Sequence, residues 1–149
     1  MNQYLFPVSY SIEQLSLGAA QAIAAVALDT ALQNGWRISV AVVDASGQLI
    51  AFAKQDGAIG ITPDVAIGKA KTAALLKSPS KHFEDFINQG QPSFLSTPGV
   101  TALEGGVPIE WNDQIIGAVG VSGAHGVNDS TVATIAANSI YQLNQREME

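Results

Sequence analysis

Two histidines, one lysine on an apolar stripe and a few acids set beside glycines are the side chains with which this 149-residue chain could do chemistry. His125 stands in the glycine-rich run Gly117 to Gly126, where an imidazole can reach a hollow without disturbing packing. It suits an axial metal ligand, a general base or a donor to a carboxylate. Glu104 precedes Gly105 and Gly106 and could act as a base or bind a cation, although a partly exposed side chain is the simpler expectation. Asp129 follows the same glycine loop as His125 and has a competing structural role, favouring the start of a helix. Asp56, next to Gly57, lies in a third glycine turn, whereas Asp44 and Asp113 are accounted for by turns and Asp64 by a helix start. Lys69 shares a helical face with Val65, Thr72 and Leu76, so its ammonium must snorkel to water, the simpler expectation, or meet an anion. His82, between Lys81 and Glu84, reads as solvated.

The glycines themselves carry information. Gly105, Gly106 and Pro108 fall where a strand ends, and Ser122 and Gly123 close a strand of small residues ahead of the last helix. Glycine there permits positive φ or close backbone approach, and free N–H groups at a helix start attract carboxylates. A carboxylate-bearing ligand is therefore expected near Gly123 to Asp129, with turn-making alone as the plainer account. No Gly-x-Gly-x-x-Gly or Gly-Lys-Ser/Thr is present, so no nucleotide fingerprint exists. Ser122 lacks the Gly-x-Ser-x-Gly spacing of a nucleophile elbow. No His-x-His or His-Glu-x-x-His pairing predicts a metal site.

These residues must be positioned by the elements around them. Ser16 caps a helix over 17–33 that holds seven alanines and presents Ala20, Ile23, Ala27 and Ala31 on one face. Residues 38–44 and 48–54 read as strands joined by a turn at Asp44 to Gly47, the first apolar on both faces and therefore central. Thr62-Pro63-Asp64 opens a helix to about Lys77, with Thr62 as its cap. Pro79 restarts a shorter helix ending near Gly90, and 91–99 is loop. Strands near 100–104, 107–111 and 115–121 follow, with a turn at Asn112-Asp113. Along the last strand Ile116, Ala118, Gly120 and Ser122 shrink on one face, so something packs close there. The final helix starts at Asn128 or Asp129 and carries Val132, Ile135, Ala136, Ile140 and Leu143 on a stripe, with a frayed tail over 144–149. The predicted order is α-β-β-α-α-β-β-β-α, an α+β single domain over 1–149 with an antiparallel sheet and flanking helices.

Charged residues make up 13% of the chain against roughly 25% in an average soluble domain. So few charges leave apolar exterior to be covered, which predicts a homo-oligomer. The net charge of −6 repels phosphate backbones, so nucleic acid is not an expected partner. Absence of cysteine excludes disulfides, thiolate metal sites and a cysteine nucleophile. The first basic residue is Arg37 and the longest apolar run is the seven residues Ala22 to Leu28. Neither a signal peptide nor a membrane partner is predicted, and the expected location is cytoplasmic.

Several segments together resemble the GlcG/HbpS family, which includes the C-terminal domain of PduO-type proteins. They are Val40 to Gly47, Asp56-Gly57-Ala58, the Lys69-Ala70 and Thr72-Ala73 pairs, Gly105 to Ile109, and Ile116 to Gly123 with Asp129 and Ala133 following. The resemblance spans about residues 15 to 140. It implies a profilin-like fold with an antiparallel five-stranded sheet, assembling as dimers or larger oligomers. It also implies haem as the candidate cofactor, since some relatives bind it while others belong to catabolic operons. The first helix holds no histidine, so His125 is the histidine close to the family's motifs, with Ala-rich helix faces and Phe52 available for an apolar slot.

Three readings follow. The first is an oligomeric cytoplasmic protein binding a small, anionic, partly apolar ligand, haem among the candidates. Its pocket would be bounded by Asp56 to Ala58, Glu104 to Ile109 and Gly123 to Asp129. The second is a catabolic enzyme in which Glu104 or His125 moves a proton while Lys69 or loop amides hold a carboxylate. The third is an accessory subunit whose loops serve assembly alone.

Overall fold

The computed structural model describes residues 5–146, with side chains through residue 143. Helix α1 (Leu17–Gln33) starts where the Ser16 hydroxyl accepts from Ala19 N at 3.1 Å and stops at Asn34 and Gly35, the glycine at φ +74°. Its Ala20, Ile23, Ala24, Ala27 and Ala31 are buried. Strands β1 (Ser39–Asp44) and β2 (Leu49–Lys54) form a hairpin whose turn is held by the Asp44 carboxylate, which accepts from Ser46 N at 2.8 Å and Gln48 N at 3.0 Å. After β2 come α2 (Thr62–Leu76), α3 (Lys81–Asn88) and a 3₁₀ turn (Pro92–Ser96), then β3 (Gly106–Trp111), β4 (Gln114–Ser122), α4 (Gly126–Asn138) and α5 (Ile140–Arg146).

Among the described residues the sheet has four strands in the order β2-β1-β4-β3, every pair antiparallel. As its unbroken apolar pattern predicts, β1 is central. One face packs on α1 and α4 through Ile23, Ile38, Val40, Val42, Val119, Val121 and Val132. The other packs on α2 through Ala41, Ala66, Ala70, Ala73 and Ala118. A Cβ on Gly120 would strike the Ala66 carbonyl and Ala70 N, so the shrinking strand does admit a close helix.

Four expectations are corrected. The sheet has four strands, not five, because 100–104 spends its hydrogen bonds on helix side chains: Thr101 N donates to Thr72 Oγ1 at 2.8 Å and Leu103 O accepts from Ser80 Oγ at 2.6 Å. Ile116 leaves the face of Ala118 and Gly120 because the ladder slips between Ile109 and Glu110, and it joins the core under α1. Thr62 is not a cap; it lies inside α2, donating to Ile59 O at 2.7 Å and bonding Ser39 Oγ at 2.9 Å. The last helix breaks at Ser139, whose hydroxyl donates to Ala136 O at 2.6 Å, and Ile135 falls off the predicted stripe at 45% exposed. The expected frayed tail lies partly outside the described residues, α5 continuing to Arg146.

Candidate functional site

Lys69 and Asp129 meet where α2 and α4 converge at one end of the sheet. The pair is 3.0 Å apart with Lys69 3% and Asp129 2% exposed. Lys69 Nζ also donates to Val121 O at 2.9 Å, and Asp129 Oδ1 accepts from Ala124 N at 2.8 Å. The expected snorkelling therefore does not occur: the ammonium takes the other course open to it and pairs with an anion. Burying two charges is tolerable here because each also has a backbone partner. The Ala124 amide of the glycine loop, the expected seat of a ligand's carboxylate, is taken by the chain's own Asp129.

Gly105 makes this junction possible. At φ +131°, a Cβ there would lie 2.7 Å from Val121 O, 2.8 Å from Lys69 Nζ and 2.9 Å from Asp129 Cβ. Gly123, at φ +129°, runs against the Arg37 carbonyl. Ser80 fixes the strap that carries Glu104, accepting from Gly106 N at 2.9 Å while donating to Leu103 O.

Above the pair opens a hollow of about 320 Å³. Lys69, Glu104, Ser122, Gly123, His125 and Asp129 all line it, so six of the residues singled out by sequence converge there. The others do not. Asp56 and Gly57 are exposed and lie off the hollow, whose lining begins at Ile59. Gly105 is part of its support, and Gly106 and Pro108 run in β3. Phe52 stands on β2, 39% exposed, away from it. Sequence reasoning missed Ile59, Ile61, Thr62, Val65, Glu84 and Leu103. The one available signal was the Ile-Gly-Ile run before the α2 proline, two large apolar residues in a turn.

His125 precedes α4 at φ +71° and is exposed at the rim. Glu84 and Glu104 put two carboxylates on the lining, while Lys69 is balanced by Asp129, so the hollow is acidic rather than anion-attracting. Among the described residues no three His, Asp or Glu side chains gather to hold a metal ion. A larger hollow of about 590 Å³ beside the start of α1 has, among the described residues, Glu13 as its only charged lining residue and neither histidine nor lysine. The sequence-named residues therefore make the smaller one the candidate site.

A four-stranded antiparallel sheet between two helical layers, with a side-chain-lined hollow at one end, defines a small α+β protein with a candidate ligand pocket. The chain belongs to the family described as haem degrading protein HbpS-like, which matches residues 15–138. It is 43% identical to Protein GlcG of Escherichia coli K12 over 108 residues, 72% of this chain and 81% of that protein. It is similar to the crystal structure of a double mutant of Streptomyces reticuli HbpS, with TM-score 0.81 and 30% identity over 91% of this chain and 97% of the other. A PduOC–haem complex shares the fold at TM-score 0.76 and 24% identity, over 85% and 94% of the two chains. No helix among the described residues is long and apolar enough to cross a membrane.

Proposed function

We propose that this chain is a haem-binding protein, built as a single profilin-like domain, that takes the porphyrin edge into the hollow between α2 and α4. The observation that carries the reading is a rim imidazole, His125, over a hollow whose walls include Ile59, Ile61, Val65 and Leu103. The apolar side chains suit the macrocycle and the imidazole suits its iron, so the residues fit the group. The volume is at the small end of ligand pockets, which run from roughly 300 to 1,000 Å³. Only part of the plate would be enclosed, and Glu84 and Glu104 on the lining would disfavour its propionates there. Bound haem would supply a redox-active iron. The family description and the haem-bound PduOC structure support the choice of ligand. Oligomeric assembly, a cytoplasmic setting and an accessory place in a catabolic pathway belong to the same reading, the first supported by the low charge content.

Glu104 and His125 line one hollow, which favours acid/base catalysis on a small substrate as the second reading. That reading lacks its anion site, because Lys69 is paired and Asp129 occupies the loop amide.

Titration with hemin separates them. A saturable Soret change is expected for the parent chain, with affinity falling at least about tenfold, or about 1.4 kcal/mol, in His125→Ala. An unchanged His125→Ala titration would refute ligation by His125, and an unsaturable parent titration would refute haem binding altogether.

A further inference from the structure

His125 stands in a backbone conformation that its side chain resists. At φ +71° and ψ +136° it lies outside the left-handed region that L residues tolerate, which ends near ψ of roughly +60°. The other described non-glycine residues at positive φ have ordinary reasons: Lys77 closes α2 at ψ +35°, and Asn112 and Asp113 make the β3–β4 turn. Glycine suits the conformation of His125, and the loop already holds Gly123 and Gly126 on either side. The His125 side chain does not cap α4 either. An imidazole kept where a glycine would fit better points to a use at the rim of the hollow.

Hydrogen bonds from α4 hold that conformation on both sides. Asp129 Oδ1 accepts from Ala124 N at 2.8 Å and Asn128 Nδ2 donates to Ala124 O at 3.0 Å, so two side chains grip the residue before His125. His125 O accepts from Asn128 N at 2.8 Å and from Asp129 N at 3.0 Å. The Asp129 carboxylate is itself aimed: Lys69, arriving on α2, takes Oδ2 at 3.0 Å and leaves Oδ1 to the loop. We propose that Lys69, Asn128 and Asp129 are positioning residues for His125, a clasp that imposes the strained turn and so fixes where the imidazole stands at the hollow. Its service to haem iron rests on the function proposed above; the clasp itself does not.

Glycine in place of His125 reads the clasp without any ligand. His125→Gly relieves the backbone and should raise the melting temperature above the parent's by about 2–4 °C. In Lys69→Met/Asp129→Leu nothing accepts from Ala124 N, the loop relaxes, and the same change should bring little or no rise. Lys69→Met/Asp129→Asn keeps an acceptor for Ala124 N and should restore it. Hemin affinity should fall at least about tenfold in the leucine pair, a loss of about 1.4 kcal/mol, and stay near the parent's in the asparagine pair. The clasp is overturned if His125→Gly gives no rise in the parent or an equal rise in the leucine pair. Parent-like hemin affinity in the leucine pair, where His125→Ala has lost it, overturns it too. If no chain binds hemin, the haem reading fails by itself and the melting comparison decides the clasp. Should the leucine pair not fold, Asn128→Ala, which frees Ala124 O, takes its place in both comparisons.

Discussion

Ile23, Ile38, Val40, Val42, Val119, Val121 and Val132 fill the sheet face under α1 and α4, whereas Ala41, Ala66, Ala70, Ala73, Ala118 and Gly120 make up the face under α2. The thick face is an ordinary branched core whose energy comes from buried volume. The thin face gives up that volume and gains proximity: α2 runs so close that a Cβ on Gly106 would strike the Lys69 carbonyl. That closeness lets the Lys69 ammonium pass over Gly105 to Val121 O and Asp129. The ion pair thus ties the two helical layers together at the end of the sheet, and the hollow with His125 opens above it. The polar site forms where the thin face brings α2 close enough for Lys69 to reach Asp129, which α4 supplies from the other face.

Removing Asp129 should break this arrangement most severely. Asp129→Ala leaves a buried ammonium unpaired and is expected to cost about 3–5 kcal/mol in urea denaturation. Lys69→Met with Asp129→Leu should recover most of that loss. A smaller effect is expected from Gly120→Ala, which forces a methyl into the α2 backbone and should cost about 1–3 kcal/mol. On the thick face the vulnerable direction is the opposite one: Ile109→Val, which removes one buried methylene, should cost only about 0.5–1.5 kcal/mol. If Gly120→Ala were neutral while Ile109→Val were severe, the contrast between the faces would be wrong.

Outside both faces, the Lys81–Asp85 pair on α3 should matter least. The Asp85 carboxylate, which accepts from Lys81 Nζ at 2.6 Å, raises the ammonium pKa above its ordinary 10.5. Because the folded value is the higher one, the pair's stabilisation is fully present below pH 10.5 and is lost as pH rises through the raised value. Lys81→Met should therefore melt slightly below the parent at neutral pH and converge with it in strong alkali.

Much of the fold was legible because its signals are local. Ser16, Asn34 and Gly35 bound α1, Asp44 and Gly47 make the hairpin turn, and Asn112 and Asp113 adopt positive φ at the β3–β4 turn. The misreadings were tertiary. Residues 100–104 have strand-like composition, but Thr72 and Ser80 capture their backbone. The ladder slip near Ile116 depends on pairing that no periodicity reveals. At the site, glycine loops pointed to Gly123, His125 and Asp129, while Glu84 arrives from α3 and Ile59, Ile61 and Val65 from the approach to α2 and its first turn. Spacing along the chain does not record that convergence. The buried partner of Lys69 was hidden for the same reason, sixty residues away in sequence.

The most direct test of the hollow as the receptacle is to fill it while leaving its imidazole in place. Val65→Trp puts an indole into the lining and keeps His125, and hemin titration followed at the Soret band reads the result. The account predicts loss of saturable binding with the melting temperature largely retained. Hemin affinity equal to the parent's in a folded Val65→Trp chain would contradict it.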